Sequence, residues 1–546
     1  MAEGRQSTGA TAALSLAAEL GKITADRRRP AGLLGLGLVA LLVVSLSGCS
    51  RVNSLFGGSS SGSNQPRGGV VADEPRAVLA GRDILNLGGS AADAAVATYF
   101  ALSVTMPSVA GLGGGGVCLN WTAGSASAEV IDFLPRPTAG GAMSVPSNVR
   151  GMALLQARSG KIRWEQDVGP AEALARFAQP LSRAAAQALG LVDPSKIGPD
   201  AYRLFTGGTG KMPGEGAGLQ QIELAAVLAR IRAAGAGDFY VGQVARELVA
   251  NVGRAYGDMT LEDLRDSKPD LATPLAVDFR GSRIYLTPPP GSGGAVTADL
   301  LAMLAYAKYT EAPPNQRPHI LAEAERRAIA AEGRRIGGEA GEIGTARRAA
   351  DLMADFQPTH ANDGTAVALP AAVTPPATGL VANDFEGNTV ACSFTMLSPL
   401  GTGQMIANSG IVTAPAPPPS GVISMVPALA VTGGKSGRVS LALSATGGAA
   451  APSVAAATIA GLAAGQPADA VITQPRLFTV GGGITLEPEA GESAEALKAV
   501  GHAVLPPSTI GRANLIACPD GAVERCSYVT DPRGAGLATR RTQILK

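Results

Sequence analysis

The chain has 546 residues with 45 Lys+Arg against 44 Asp+Glu, a formal net charge of +1. At 46% hydrophobic and 16% charged residues it is not a disordered tail, and it lacks the basic excess of a nucleic-acid binder. Aromatic residues at 4% argue against a single-strand stacking platform, and five cysteines in this length exclude a disulfide scaffold.

In chain order, Arg27, Arg28 and Arg29 precede an uncharged apolar run from Ala31 to Leu46, the layout of an export signal. The run ends in Leu46-Ser47-Gly48-Cys49, which resembles a bacterial lipobox with Cys49 as the lipidation site. A single transmembrane helix is the alternative, because Pro30 to Gly48 approaches the roughly 20 residues needed to span a bilayer. The small residues before Cys49 and the Gly/Ser stretch from Gly57 to Ser63 favour an acylated N-terminus on a flexible tether. Residues 1–49 are therefore expected to be a leader and 50–69 a tether. Localisation is expected at the cell envelope, facing the periplasm and anchored by lipid, with Ser50 favouring the outer membrane.

From Val70 the patterning alternates between helix and strand. Ser90 to Asp93 reads as a capping box opening a helix to about Val104. Leu224, Val227, Leu228 and Ile231 predict an amphipathic helix over 219–233, and Val241 to Leu248 repeats the spacing. Thr260 to Asp263 is another helix start, strands are predicted at 275–279 and 283–287, and Pro288 to Gly294 is a rigid turn. His319 to Ile336 is a charged helix with His319 expected on its surface. Residues 357–377 lose periodicity and carry Pro358, Pro370, Pro375 and Pro376, the best internal linker. Strands dominate afterwards, with one long helical stretch at 451–463. The body thus divides into 70–377 and 378–546.

Several motifs fail on context. Gly111 to Gly116 fits G-x-G-x-x-G, but a helix precedes it and a strand follows, the reverse of a dinucleotide fingerprint. Gly207 to Lys211 lacks the first glycine and the Ser/Thr of a phosphate loop. The three histidines, His319, His360 and His502, show no metal-ligand spacing, so no metal is expected. No G-x-S-x-G elbow exists for a histidine-dependent triad. Cys118 and Cys392 lie in apolar strands and read as buried thiols. A tight turn at Asp520-Gly521 would set Cys518 opposite about residue 523, which disfavours a bond to Cys526.

An ordered set of motifs resembles the γ-glutamyltransferases. It comprises Asn86 to Ala97, Gly113 to Gly116, Val145 to Gly151 with Trp164 and Gly169-Pro170, Phe239 to Gly242, Met259 to Leu264 and Pro288 to Gly294. In the second half follow Asp384 to Asn388, Phe394-Thr395, Gly401 to Gly403, Gly447-Gly448 and Asp531 to Arg533. Read singly, Gly447-Gly448 is a turn and Thr395 and Ser424 are strand polar packing; the order gives them roles. The resemblance implies an α+β fold, the four-layer αββα sandwich of N-terminal-nucleophile hydrolases. It also implies a chain that cuts itself into two fragments forming a heterodimer, with no cofactor. The substrate would be a small γ-glutamyl or related amide. Thr378, just after the linker, matches the nucleophile, with cleavage after Ala377. Thr395 matches a threonine that supports the nucleophile's hydroxyl, Gly447 and Gly448 match the oxyanion glycines, and Ser424 matches a substrate-binding serine.

The sequence also departs from the family. Counting back without gaps from Asp384 puts Ala377, not Thr378, under the first threonine of the processing motif. Leu134 replaces the arginine that grips the substrate carboxylate, with Arg136 as the expected substitute. Leu397 replaces an asparagine, Ile423 one of two serines, and Thr413 to Pro419 an acidic segment. The expected activity is acyl transfer or hydrolysis on an altered donor. A non-catalytic envelope binding protein on the same scaffold is the alternative.

Overall fold

The computed structural model describes residues 68–252, 258–289, 293–339, 341–362, 377–418, 425–433 and 437–540. The leader with Cys49, the tether up to residue 67, most of the proline linker, and Ser424 lie outside the described residues. Gly68 and Gly69, expected to end the tether, already belong to the first strand.

The strands that build the two large sheets are β1 (Gly68–Ala72), β2 (Gly115–Trp121), β3 (Glu129–Phe133), β4 (Asp270–Ala272), β5 (Leu275–Phe279), β6 (Ser282–Leu286), β7 (Ala377–Asp384), β8 (Thr389–Thr395), β9 (Val426–Thr432), β10 (Arg438–Thr446), β11 (Arg512–Ala517), β12 (Ser527–Val529) and β13 (Leu537–Arg540). Sheet one runs β13-β1-β7-β8-β2-β3-β4 and sheet two β12-β11-β10-β9-β6-β5, antiparallel throughout. The second half of the chain thus threads β7 and β8 between β1 and β2 of the first, so neither half closes a sheet alone.

Side-chain alternation along the strands produces the layers. Val70, Ala72, Cys118, Leu380, Ala382, Val390 and Cys392 pack on one side of sheet one against the helices α1 (Pro75–Asn86), α2 (Ala91–Thr105) and α3 (Trp164–Arg176). Their neighbours Val71, Val117, Leu119, Val381 and Ala391 face sheet two, meeting Leu429, Ala442 and Ile516. The far side of sheet two, with Ile284, Ala428, Leu441, Leu443 and Leu515, packs on α4 (Gly294–Tyr306), α5 (Arg317–Ile336) and α6 (Ala451–Ala463). Three apolar interfaces therefore separate four layers, the expected αββα sandwich. α2 is buried on every side, which is why its sequence is apolar all round. Its Ser90–Asp93 capping box is present, as is that of Thr260–Asp263.

Asp93 meets a second buried carboxyl, Asp167 of α3. Both Asp167 oxygens and Asp93 Oδ1 lack a donor among the described residues, and one proton shared between the two carboxyls would satisfy one oxygen of each. Burial, reinforced by the Asp93 charge, pushes Asp167 up to about 9. A raised acid holds its proton in the native state while the unfolded chain has lost it. This contribution to stability is therefore complete below about pH 4 and is lost as pH rises through about 9. Asp167→Asn should flatten that decline, and thermal melts of the two proteins at pH 5 and pH 9 check it.

Two expectations about cysteine are corrected. Cys118 and Cys392 are not thiols: β2 and β8 pair them directly and they form a disulfide. Cys518 and Cys526 also bond. The connection between them is not a two-residue hairpin but a pair of short 3-10 turns, with Asp520 at φ +56°. This longer loop sets Ala517 opposite Ser527, which brings the cysteines together with Cα atoms 4.0 Å apart.

Candidate active site

β7 and β8 keep one register, without a shift, from Ala377↔Thr395 to Asn383↔Thr389. Thr395 also pairs with Gly115, and Gly116 with Phe133. Leu134, Gly115, Thr395 and Ala377 therefore stand side by side across four strands at one end of sheet one. Ala377, and not Thr378, is level with Thr395, because successive residues of a strand face opposite sides. Thr395 Oγ1 accepts from the Leu397 backbone N–H at 2.9 Å, and Leu397 itself sits at φ +63°. Leu134, Ala377 and Leu397 join Met425 in the apolar layer between the sheets. Three positions that the resemblance assigns to polar or charged groups have become one apolar wall.

Thr378 is fully buried, and its hydroxyl donates to Asp73 Oδ2 at 2.8 Å. Asp73 follows β1 directly, since Ala72 pairs with Leu380. Asn514 Nδ2 donates to Asp73 Oδ1 at 2.8 Å and to the Gly379 carbonyl at 3.1 Å, while Thr530 donates to Asn514 Oδ1 at 3.1 Å. Gly379 leaves room for this: a Cβ there would lie 2.1 Å from Ser444 Oγ. The carboxylate thus accepts from both the hydroxyl and the amide, a geometry in which a carboxylate can take a hydroxyl proton while the amide orients it. Sequence reasoning missed Asp73 and Asn514. A polar Asn514 among the apolar residues of β11 was the one available signal.

Gly447 and Gly448 close β10 at φ +136° and +61° and lead through a 3-10 turn into α6. Their backbone N–H groups thus stand near a helix N-terminus, where negative charge is favoured. A Cβ on Gly447 would lie 2.5 Å from the Gly511 Cα. Gly447→Ala should lower stability by about 2–4 kcal/mol through that clash and the left-handed backbone, readable as a fall in Tm.

Arg136 does not join the group. It is held at the sheet edge by Asp270 at 2.6 Å and the Lys268 carbonyl at 3.2 Å, with 41% of its side chain exposed. Thr413 to Pro415 are bound as extended backbone against Gly113 and Met143. His319, expected on a helix surface, is 2% exposed and hydrogen-bonded to His502. α5 turns that side inward, toward the loop carrying His502. The fold does bring together His319, Glu323 and His502, which sequence spacing alone does not group.

A sequence profile described as gamma-glutamyltranspeptidase matches residues 77–415. The chain belongs to the gamma-glutamyltranspeptidase family. It is 30% identical over 390 residues to a glutathione hydrolase proenzyme of Pseudomonas aeruginosa, covering 63% of this chain and 67% of that protein. A glutathione hydrolase proenzyme of Bacillus subtilis is 30% identical over 262 residues, 44% of each chain, so this chain spans under half the length of that relative. The solved cephalosporin acylase from Bacillus halodurans superposes with a TM-score of 0.76 at 21% identity, covering 87% of this chain and 96% of that one. At that identity the likeness concerns the fold, and it is the fold of this gamma-glutamyltranspeptidase family member that the three apolar interfaces describe.

Proposed function

We propose that this protein is a self-processing amidase or acyltransferase whose nucleophile is Thr378. The hydrogen bond from Thr378 Oγ1 to Asp73, 2.8 Å long, carries this reading. In the uncut chain Thr378 Oγ1 attacks the Ala377 carbonyl carbon, and its proton passes to Asp73. The Ala377–Thr378 C–N bond breaks as the nitrogen takes a proton. Water then hydrolyses the ester, leaving an Ala377 carboxylate and a free Thr378 amine. An α-amine of ordinary pKa, about 7.7–8, serves as base for the same hydroxyl in turnover. The acyl group forms an ester on Thr378, the amine leaves, and water or a second amine takes the acyl group. The N–H groups of Gly447 and Gly448 stabilise the oxyanion. Leu134, Ala377 and Leu397 face the apolar layer between the sheets, the opposite side of β7 from the Thr378 side chain, so this wall says nothing about the acyl group that the hydroxyl would take. Two disulfides suit an oxidising compartment, and the fifth cysteine is Cys49 of the lipobox, which supports a lipid-anchored envelope protein.

Intact-mass measurement tests the proposal. The purified protein should contain a fragment running from Thr378 to Lys546. The fragments should separate only after reduction, because Cys118–Cys392 bridges the cut. A reduced chain that remains whole overturns the self-processing reading. Ala377 standing level with Thr395 favours a second reading, a binding lipoprotein without catalysis. That protein would stay uncut, and Thr378→Ala would not change its fragment pattern.

A further inference from the structure

α5 carries His319 and Glu323 one turn apart on a buried face. The loop after the helix Gly491–Ala499 brings His502 against them, with His319 Nδ1 2.8 Å from His502 Nε2. One ligand atom from each of His319, Glu323 and His502 lies within 4.8 Å of the other two. The third histidine of the chain, His360, is exposed and lies beside Gly501, so all three histidines gather in one place.

The hydrogen bonds fix the tautomer. His319 Nε2 is 2.7 Å from the Gln357 carbonyl, which can only accept, so Nε2 carries the proton and Nδ1 presents a lone pair to His502. A metal-bound imidazole is held in the same way, its outer N–H anchored on a carbonyl. In the metal-free chain His502 donates Nε2–H to that lone pair. Moving this hydrogen to His502 Nδ1 leaves two lone pairs facing one point. Arg326 and Arg327 both bind Glu323 at Oε2, so neither arginine engages Oε1.

We propose that His319 Nδ1, His502 Nε2 and Glu323 Oε1 bind one divalent cation of the Zn²⁺ type. Two imidazoles and a carboxylate suit zinc and not the all-oxygen shells of Mg²⁺ or Ca²⁺. Nitrogens each about 2.1 Å from a tetrahedral zinc lie about 3.4 Å apart, so the rings must part by about 0.6 Å. His502 sits on a loop and is only half-buried, which lets it move. The fourth position falls to water or His360. The bound ion would tie α5 to the segment that leads into the linker, where Gln357 holds His319 and Ala361 N–H donates to the Val500 carbonyl.

The full chain, stripped with chelator and dialysed against micromolar Zn²⁺ or Mg²⁺, should retain about one zinc and no magnesium by elemental mass spectrometry. Zn²⁺ should also raise its Tm. His502→Gln, checked for native circular dichroism, should lose both effects, and Glu323→Gln should weaken zinc at least tenfold. Retention of no zinc by the wild type would reduce the cluster to a packed, hydrogen-bonded histidine pair. Equal zinc in His502→Gln would place any binding elsewhere. Either result overturns the proposal, and neither readout depends on catalysis or self-cleavage.

Discussion

Asp73→Asn should leave the chain in one piece. In the proposed self-cleavage Thr378 gives its hydroxyl proton to Asp73, and an amide cannot take that proton. Loss of a positioned base slows such a step by about 10²–10⁴-fold. The substitution keeps the size and shape of the side chain. Asn514 can still donate to the oxygen of the new amide, whose N–H would then point at Thr378 Oγ1, where a carboxylate lone pair now accepts at 2.8 Å. Reduced intact mass over a time course after synthesis measures the rate of splitting. Circular dichroism, expected to be unchanged, separates a lost base from a lost fold. Splitting at the wild-type rate in this variant would remove Asp73 from the mechanism.

The second large effect is on stability. Asp531, 1% exposed, accepts from Arg476 at 2.6 Å, from the Ala513 backbone N–H at 2.9 Å and from Arg533 at 3.1 Å. Glu487 completes the network by binding Arg533 and the N–H groups of Arg476 and Ile510. Removing one member of a buried ion pair strands the other, at a cost of about 3–5 kcal/mol. Asp531→Ala leaves Arg476 charged and 8% exposed with only the Ile510 and Gly511 carbonyls. The expected loss in Tm is on the order of 5–10 °C. Glu311→Ala is the control: its partner Arg280 is 45% exposed, and such surface pairs contribute under about 1 kcal/mol. Equal Tm losses in the two variants would show that the network does not hold the C-terminal strands in place.

Helix and strand positions were largely legible in the chain. The segment 451–463 and the capping boxes at Ser90 and Thr260 stand where spacing puts them, because capping and periodicity are local. Ordered resemblance singles out Thr395 and the Gly447-Gly448 pair, which the fold places at the ends of β8 and β10. The Asp73–Thr378 contact was not legible, since the two residues lie 305 positions apart in sequence. The Cys518–Cys526 bond escaped for a related reason: loop geometry, not the Asp520-Gly521 turn alone, sets that register.

By itself the sequence determined the alternation that makes each strand of sheet one two-faced, the apolar helices that cover it and the family to which the motifs belong. These follow from local periods of 2 and 3.6 residues and from residue order. Only the tertiary structure decided that Ala377 is level with Thr395 while Thr378 turns to Asp73, that four cysteines pair, and that His319 meets His502. Such meetings depend on which strands and loops lie side by side, and a one-residue change in register would reverse every face.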